Sequence, residues 1–199
     1  MPLPPPLPLP AMQWQALAAA YAEPPRAYHD IGHVQEVLRH HAEVAAGPGW
    51  RQPVETWLAV LYHDAIYQPG KSDNEARSAR LAERHIAHWL EGLADAGRVA
   101  QLIELTARHG QLRPQDVDTE AALFLDCDMA ILGAAPAVFD AYDRAIAQEY
   151  APVMPGWLYR RKRRAFLRRL LQSERIFLSE FFHRRLDAQA RANLRRHAG

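Results

Sequence analysis

The chain has 199 residues, with 24 Lys and Arg against 23 Asp and Glu, for a formal net charge of +1. That balance excludes a strong whole-chain attraction to nucleic acid or membrane, and a hydrophobic fraction of 49% excludes disorder. A single cysteine, Cys127, rules out an internal disulfide and fits a reducing cytoplasm.

The opening MPLPPPLPLP alternates proline with leucine and lacks a basic leader. It reads as a short polyproline II tail over residues 1–10, with the folded domain over 11–199. No apolar run approaches the roughly 20 residues needed to span a bilayer, so a soluble, cytoplasmic protein is expected. Met12 to Ala22 then reads as a helix, stopped by Glu23-Pro24-Pro25. Asp30 is placed to cap a second helix running to about Ala45, where Gly47-Pro48-Gly49 ends it. Pro53 suits the first turn of a third helix ending near Asp64, with Leu58, Leu61, Tyr62 and Ala65 facing the core.

Ser72 or Asp73 starts a fourth helix to about Leu90, and Asp95 or the residue beside it opens a fifth that closes at His109-Gly110, glycine suiting the left-handed position there. Asp118 or Thr119 caps the next, which runs through Leu132-Gly133. Segments 136–150, 158–171 and about 179–196 complete the chain. Sustained alternation and hairpin turns are missing. The fold class expected is all-α, about seven to nine helices in a single domain.

Within this frame, Trp57 to Tyr67 is an apolar run that carries an adjacent His63 and Asp64. Burying an imidazole and a carboxylate together is costly unless they are paired, and a divalent cation accepts both. A helix-end histidine followed by a capping aspartate is the bland alternative. Candidate co-ligands are His29 and His33 upstream and His109, Asp126 and Asp128 downstream. His29 and His33 are four apart and would share a helical face, but Asp30 as a cap leaves His29 outside the helix. His33 is therefore favoured as the ligand, with His29 either supporting the ligands from behind or on the substrate side. Asp126 and Asp128 lie in an apolar helix about 200° apart around its axis, so at least one faces inward. His40, His41, His85, His88, His183 and His197 fall on polar or ambiguous faces and are not expected at the site. Arg160 to Arg164, with Arg168 and Arg169, form a basic helix face that reads mainly as solvated.

Taken together, Arg26-x-Tyr28-His29-x-x-x-His33-Val, Tyr62-His63-Asp64-x-Ile66-Tyr67, Asp73-Asn74-Glu75-x-Arg77-Ser78-Ala79, Phe124-Leu125-Asp126-x-Asp128-x-Ala130-Ile131-Leu132-Gly133, Glu149-Tyr150 and Ala190-Arg191-x-Asn193-Leu194 carry a resemblance. The chain resembles the HD superfamily of metal-dependent phosphohydrolases, in a bacterial branch of predicted HD-domain hydrolases. The resemblance implies a helical HD fold with His33, His63, Asp64 and Asp128 around a divalent metal. The pattern does not separate Asp126 from Asp128; Asp128 is preferred because related proteins place the ligand at the second acidic position. Cys127 stands between the two aspartates where alanine is common.

The expected chemistry is hydrolysis of a phosphate ester or anhydride, with a nucleotide as the expected substrate, by a metal-activated water. Mn, Fe, Mg, Ni and Co suit the mixed nitrogen and oxygen donors, and Zn is compatible. Asp64 would help orient the water, and Asp73 or Glu75 would handle protons. Arg26, Lys71, Arg77 and His109 are candidates for phosphate charge, with His29 beside them. The rival reading is a nucleotide-binding signalling module with the same metal pocket and no turnover. Membrane partners are not expected, nucleic acid is disfavoured, and a homo-oligomer is compatible with the sequence.

Overall fold

The computed structural model describes residues 5–108 and 110–199. Among the described residues there are nine α-helices, two short 3-10 turns and no strand, matching the all-α expectation. His109, expected to end the fifth helix and to bind phosphate, lies outside the described residues, as do residues 1–4 of the proline tail. The chain groups into two compact units, Met1–Arg108 and His109–Gly199. Among the described residues no single helix is long and apolar enough to cross a membrane.

The first unit contains α1 (Ala11–Tyr21), α2 (Ile31–Ala46), α3 (Pro53–Tyr62), α4 (Asn74–Trp89) and α5 (Ala96–Thr106). α1 offers Leu17 and Tyr21 to the core, and the Tyr21 hydroxyl donates to the Leu61 carbonyl at 3.1 Å. α2 starts where Asp30 accepts from the Gly32 and His33 amides at 2.8 and 3.3 Å, supplying the free N–H groups of a first turn. The C-terminal half of α3 is deeply buried: Leu58, Ala59, Val60, Leu61 and Tyr62 are all at most 2% exposed. That half is held by packing, and it delivers His63 and Asp64 into the turn just past its end. The expected boundary at Asp64 is thus two residues long, because His63 and Asp64 continue as a turn.

Two polar side chains fix the loop that follows. Asn74 accepts from the Gln68 amide at 3.0 Å and donates to its carbonyl at 2.9 Å. The Ser78 hydroxyl accepts from the Ile66 amide at 2.9 Å and donates to its carbonyl at 3.2 Å. Asp73 occupies the N-cap position of α4 without a capping hydrogen bond, whereas Asp95 caps α5 by accepting from Arg98 at 3.0 Å.

The second unit contains α6 (Thr119–Met129), a 3-10 turn (Ala130–Gly133), α7 (Pro136–Tyr150), α8 (Gly156–Gln172) and α9 (Glu180–His197), preceded by a 3-10 turn at Pro114–Asp116. Gly110 has φ 71°, the left-handed region expected of it, but α5 has already ended at Thr106, so this glycine does not close the helix. Gly133 is required for a different reason: a Cβ there would stand 2.6 Å from the Leu186 Cβ, so α9 packs directly on the turn's backbone. Asn193 is fully buried and donates to the Leu132 and Ala134 carbonyls at 2.9 and 2.8 Å, closing the same turn. Arg191 donates to the Leu171, Ser173 and Glu174 carbonyls and pairs with Asp187 at 2.6 Å, tying the end of α8 to α9.

Candidate metal centre

His33 stands in the first turn of α2 and His63 in the turn after α3, with 5% and 1% of their surfaces exposed. The two Nε2 atoms are 3.0 Å apart. The Asp64 Oδ2 lies 3.2 Å from the His63 Nε2 and 3.5 Å from the His33 Nε2. Among the described residues these three form the group whose donor atoms converge as metal ligands would. Around a cation about 2.1 Å from each donor, neighbouring donors stand about 3.0 Å apart in an octahedron and about 3.4 Å apart in a tetrahedron. The observed edges span that interval, so the triangle fits one face of a small divalent ion's shell.

His63 is oriented for this. Its Nδ1 is 2.9 Å from the Val60 carbonyl, which can only accept, so Nδ1 carries the proton and Nε2 presents its lone pair to the centre. Burial alone would push the Asp64 carboxyl up, but His63, then His29 and His33, outweigh it and hold Asp64 well below the usual carboxylate range. An anionic oxygen between two imidazoles is the form a cation needs.

The structure also places the rim. The His29 ring stacks on Tyr67 at 4.0 Å with planes 28° apart, and Tyr28 packs on His33 at 4.6 Å. His29 lies outside α2, as the Asp30 cap requires, yet close enough to Asp64 to act on its charge. Arg77, in the first turn of α4, donates to the Gln68 side chain at 3.1 Å, and Lys71 is exposed on the loop before it. Glu75 is partly buried in that first turn and Asp73 is exposed; neither belongs to the converging group.

Arg26 has a more specific position than a phosphate contact. Its Nη1 donates to the His29 and Asp64 carbonyls at 2.6 and 2.8 Å, and its Nη2 to the Ala65 carbonyl at 3.0 Å. The guanidinium lies over the Tyr21 ring at 5.0 Å. One planar fork thus joins the segment bearing His29 and His33 to the turn bearing His63 and Asp64. Arg26→Ala is expected to cost about 2–3 kcal/mol in urea unfolding, and Arg26→Lys to recover only part, since an ammonium cannot span three carbonyls.

Asp126 and Asp128 belong to the second unit and separate there. Asp126 is 1% exposed and accepts from the Leu178 amide at 2.8 Å, the Ser179 amide at 2.7 Å and the Ser179 hydroxyl at 2.6 Å. Both its oxygens are therefore engaged at the N-terminus of α9, while Asp128 is partly buried one residue before the end of α6. The inward carboxylate of the pair has a structural duty.

Three histidines set aside as lying on ambiguous faces have definite places. His40 and His41 are buried, His41 with its Nε2 3.0 Å from the Thr56 hydroxyl and its ring stacked on Trp50 at 4.6 Å. Burial pushes His41 down to about 4, keeping it neutral. His85 Nδ1 is 3.0 Å from the Tyr62 hydroxyl, which in turn accepts from Gln13 at 2.8 Å. None of the three belongs to the converging group.

Sequence reasoning assigned no role to Tyr67, Asn74 or Ser78, which shape the loop after Asp64. Their signal was polar and aromatic residues within one loop length of His63-Asp64, but nothing in spacing alone says which backbone group each would reach. Comparison of the chain with protein-family models, with curated proteins and with solved structures gives no match in any of the three.

Proposed function

We propose that this protein is a metal-dependent phosphohydrolase, acting on a phosphate ester or anhydride of nucleotide type. The observation that carries the reading is the convergence of His33 Nε2, His63 Nε2 and Asp64 Oδ2 within 3.5 Å of one another in a largely buried setting. It is supported by the sequence resemblance to HD-type hydrolases, whose His … His-Asp order these residues follow. A divalent cation held by them supplies Lewis acidity, drawing charge from a phosphate oxygen and lowering the pKa of water.

The side chains divide the remaining work. His33 and His63 hold the cation, and Asp64 adds the negative charge that favours a divalent ion over a monovalent one. His29, stacked on Tyr67, faces the substrate side of Asp64. Lys71 and Arg77 offer cationic groups to a phosphate from the loop and first turn of α4, and Glu75 or Asp73 serves as the carboxylate that takes a proton. Asp128 remains the fourth ligand implied by the resemblance, and metal content in Asp128→Asn is its test.

The deciding experiment is metal analysis of the purified protein, then a screen of phosphate release across divalent metals and phosphorylated substrates, with Asp64→Ala alongside. Metal-dependent release that vanishes in the variant supports the assignment. Release that persists in Asp64→Ala refutes the site, and metal-dependent nucleotide binding without release turns the reading to a binding module.

A further inference from the structure

The sequence of α8, GWLYRRKRRAFLRRLLQ, holds seven Arg and Lys and no acidic residue. The structure sorts them. Arg163 turns inward, where it pairs with Asp143 at 2.8 Å and lies over the Tyr142 ring at 5.0 Å. Leu167 and Leu170 are buried beside it. Trp157, Arg160, Arg161, Arg164 and Arg168 are all exposed, and their spacing of 3, 4, 7 and 11 residues from the tryptophan puts them in one stripe along the helix. Trp157 is 62% exposed, an unusual position for the largest apolar side chain.

Among the described residues, Arg160, Arg161 and Arg164 have no ion-pair partner. Arg168 donates from Nε to the Ala198 carbonyl at 2.8 Å, which steadies its side chain without neutralising it. Four like charges held along about 12 Å of helix repel one another, so an extended anion laid along the stripe relieves that repulsion. The whole-chain charge of +1 hides this arrangement, because the basic helix is offset by acids elsewhere in the chain.

Two extended anions present themselves, a nucleic-acid strand and an anionic bilayer. A helix that lies in a bilayer needs a free apolar face, and here Leu167 and Leu170 are already buried, leaving Trp157 as the one strongly exposed apolar side chain on the helix. One exposed indole is enough to stack on one base. It needs a base outside a duplex, where the π-face is accessible. We propose that α8 is a contact surface for single-stranded nucleic acid, with Arg160, Arg161, Arg164 and Arg168 along the phosphates and Trp157 stacked on a base. This surface is independent of the metal centre.

The test is fluorescence anisotropy of the full-length protein with a labelled single-stranded oligonucleotide over a range of salt. Expected are binding at low salt, a log–log slope of affinity against salt of about −3 from four phosphate contacts, and loss of binding in Arg160→Glu/Arg164→Glu. Trp157→Ala should weaken binding by roughly 5- to 100-fold, and His63→Ala should bind as the parent does. Circular dichroism establishes that each variant is folded. Failure to bind at low salt overturns the proposal, as does affinity unchanged by the charge reversal. Equal affinity for heparin together with an inert Trp157→Ala also overturns it, since that describes a generic cationic patch. Binding to phosphatidylcholine vesicles containing phosphatidylserine, but not to the oligonucleotide, assigns the surface to membranes instead.

Discussion

A His63→Ala variant is expected to lose more than 100-fold in affinity for divalent metal, and phosphate release should fall to background. His63 contributes one of three converging donors, and it is the most constrained of them, with 1% of its surface exposed and Nδ1 held by the Val60 carbonyl at 2.9 Å. Removing an outer partner of a metal ligand typically costs about 10- to 100-fold in affinity; removing the ligand itself costs more. Thermal unfolding gives a readout that needs no substrate. A metal present at about 100 times its dissociation constant stabilises the folded state by about 2.7 kcal/mol. The parent's midpoint should therefore rise when metal is added and fall with chelator, whereas the variant's should stay where it is. A variant that still responds to metal would place the binding groups elsewhere. Asp64→Asn separates charge from shape: it keeps the volume beside His63 but removes the anion, so it should resemble His63→Ala in metal response with less disturbance to packing.

Much of this arrangement is legible in the sequence because the signals are local. Asp30, Asp95, Asp118 and Ser179 each accept from an amide two or three residues ahead, and each stands where a polar residue precedes an apolar periodic run. Pro53 and Pro136 mark first turns for the same reason, since φ near −65° and a missing N–H cost nothing there. His63 stood out in advance because its surroundings are apolar and an isolated buried imidazole needs company, and His33 because the Asp30 cap fixes its direction on α2. The reach of Arg26 could not, because its three acceptors are main-chain carbonyls with no side-chain signature. His41 illustrates the opposite error: a histidine on an amphipathic helix looks exposed by period, yet stacking on Trp50 and a bond to Thr56 make its burial tolerable. Asp126 and Asp128 looked equivalent for a related reason. Periodicity says that one of them points inward but is silent on what it meets there, and Leu178 and Ser179 lie more than 50 residues away in the chain.

What Asp126 meets leads to the second large expected effect. Asp126→Ala should destabilise the protein by about 3–5 kcal/mol, read as a lowered midpoint in urea. The variant strands the buried Ser179 amide and the partly buried Leu178 amide, together with the Ser179 hydroxyl that caps α9 through Phe182 at 3.3 Å. Asp126→Asn is the sharper probe because it keeps the volume while replacing one acceptor with a donor that faces N–H groups. The pH dependence follows from the same geometry. Burial pushes the Asp126 carboxyl from an ordinary 3.8 up to about 7, against the pull of Ser179, Leu178 and the Arg175 charge. The folded chain therefore holds this proton more tightly than the unfolded chain does. Stability from the group is complete at pH below 3.8, declines as the pH rises towards 7, and is level above it. In its protonated form the acid donates to the Ser179 oxygen, which still accepts from Phe182, so the cap survives protonation. Urea midpoints across that range should fall for the parent more than for Asp126→Asn, which has no proton to lose. A parent whose midpoint instead rises steadily through the same interval would mean that the three donors outweigh burial and that Asp126 is ionised throughout.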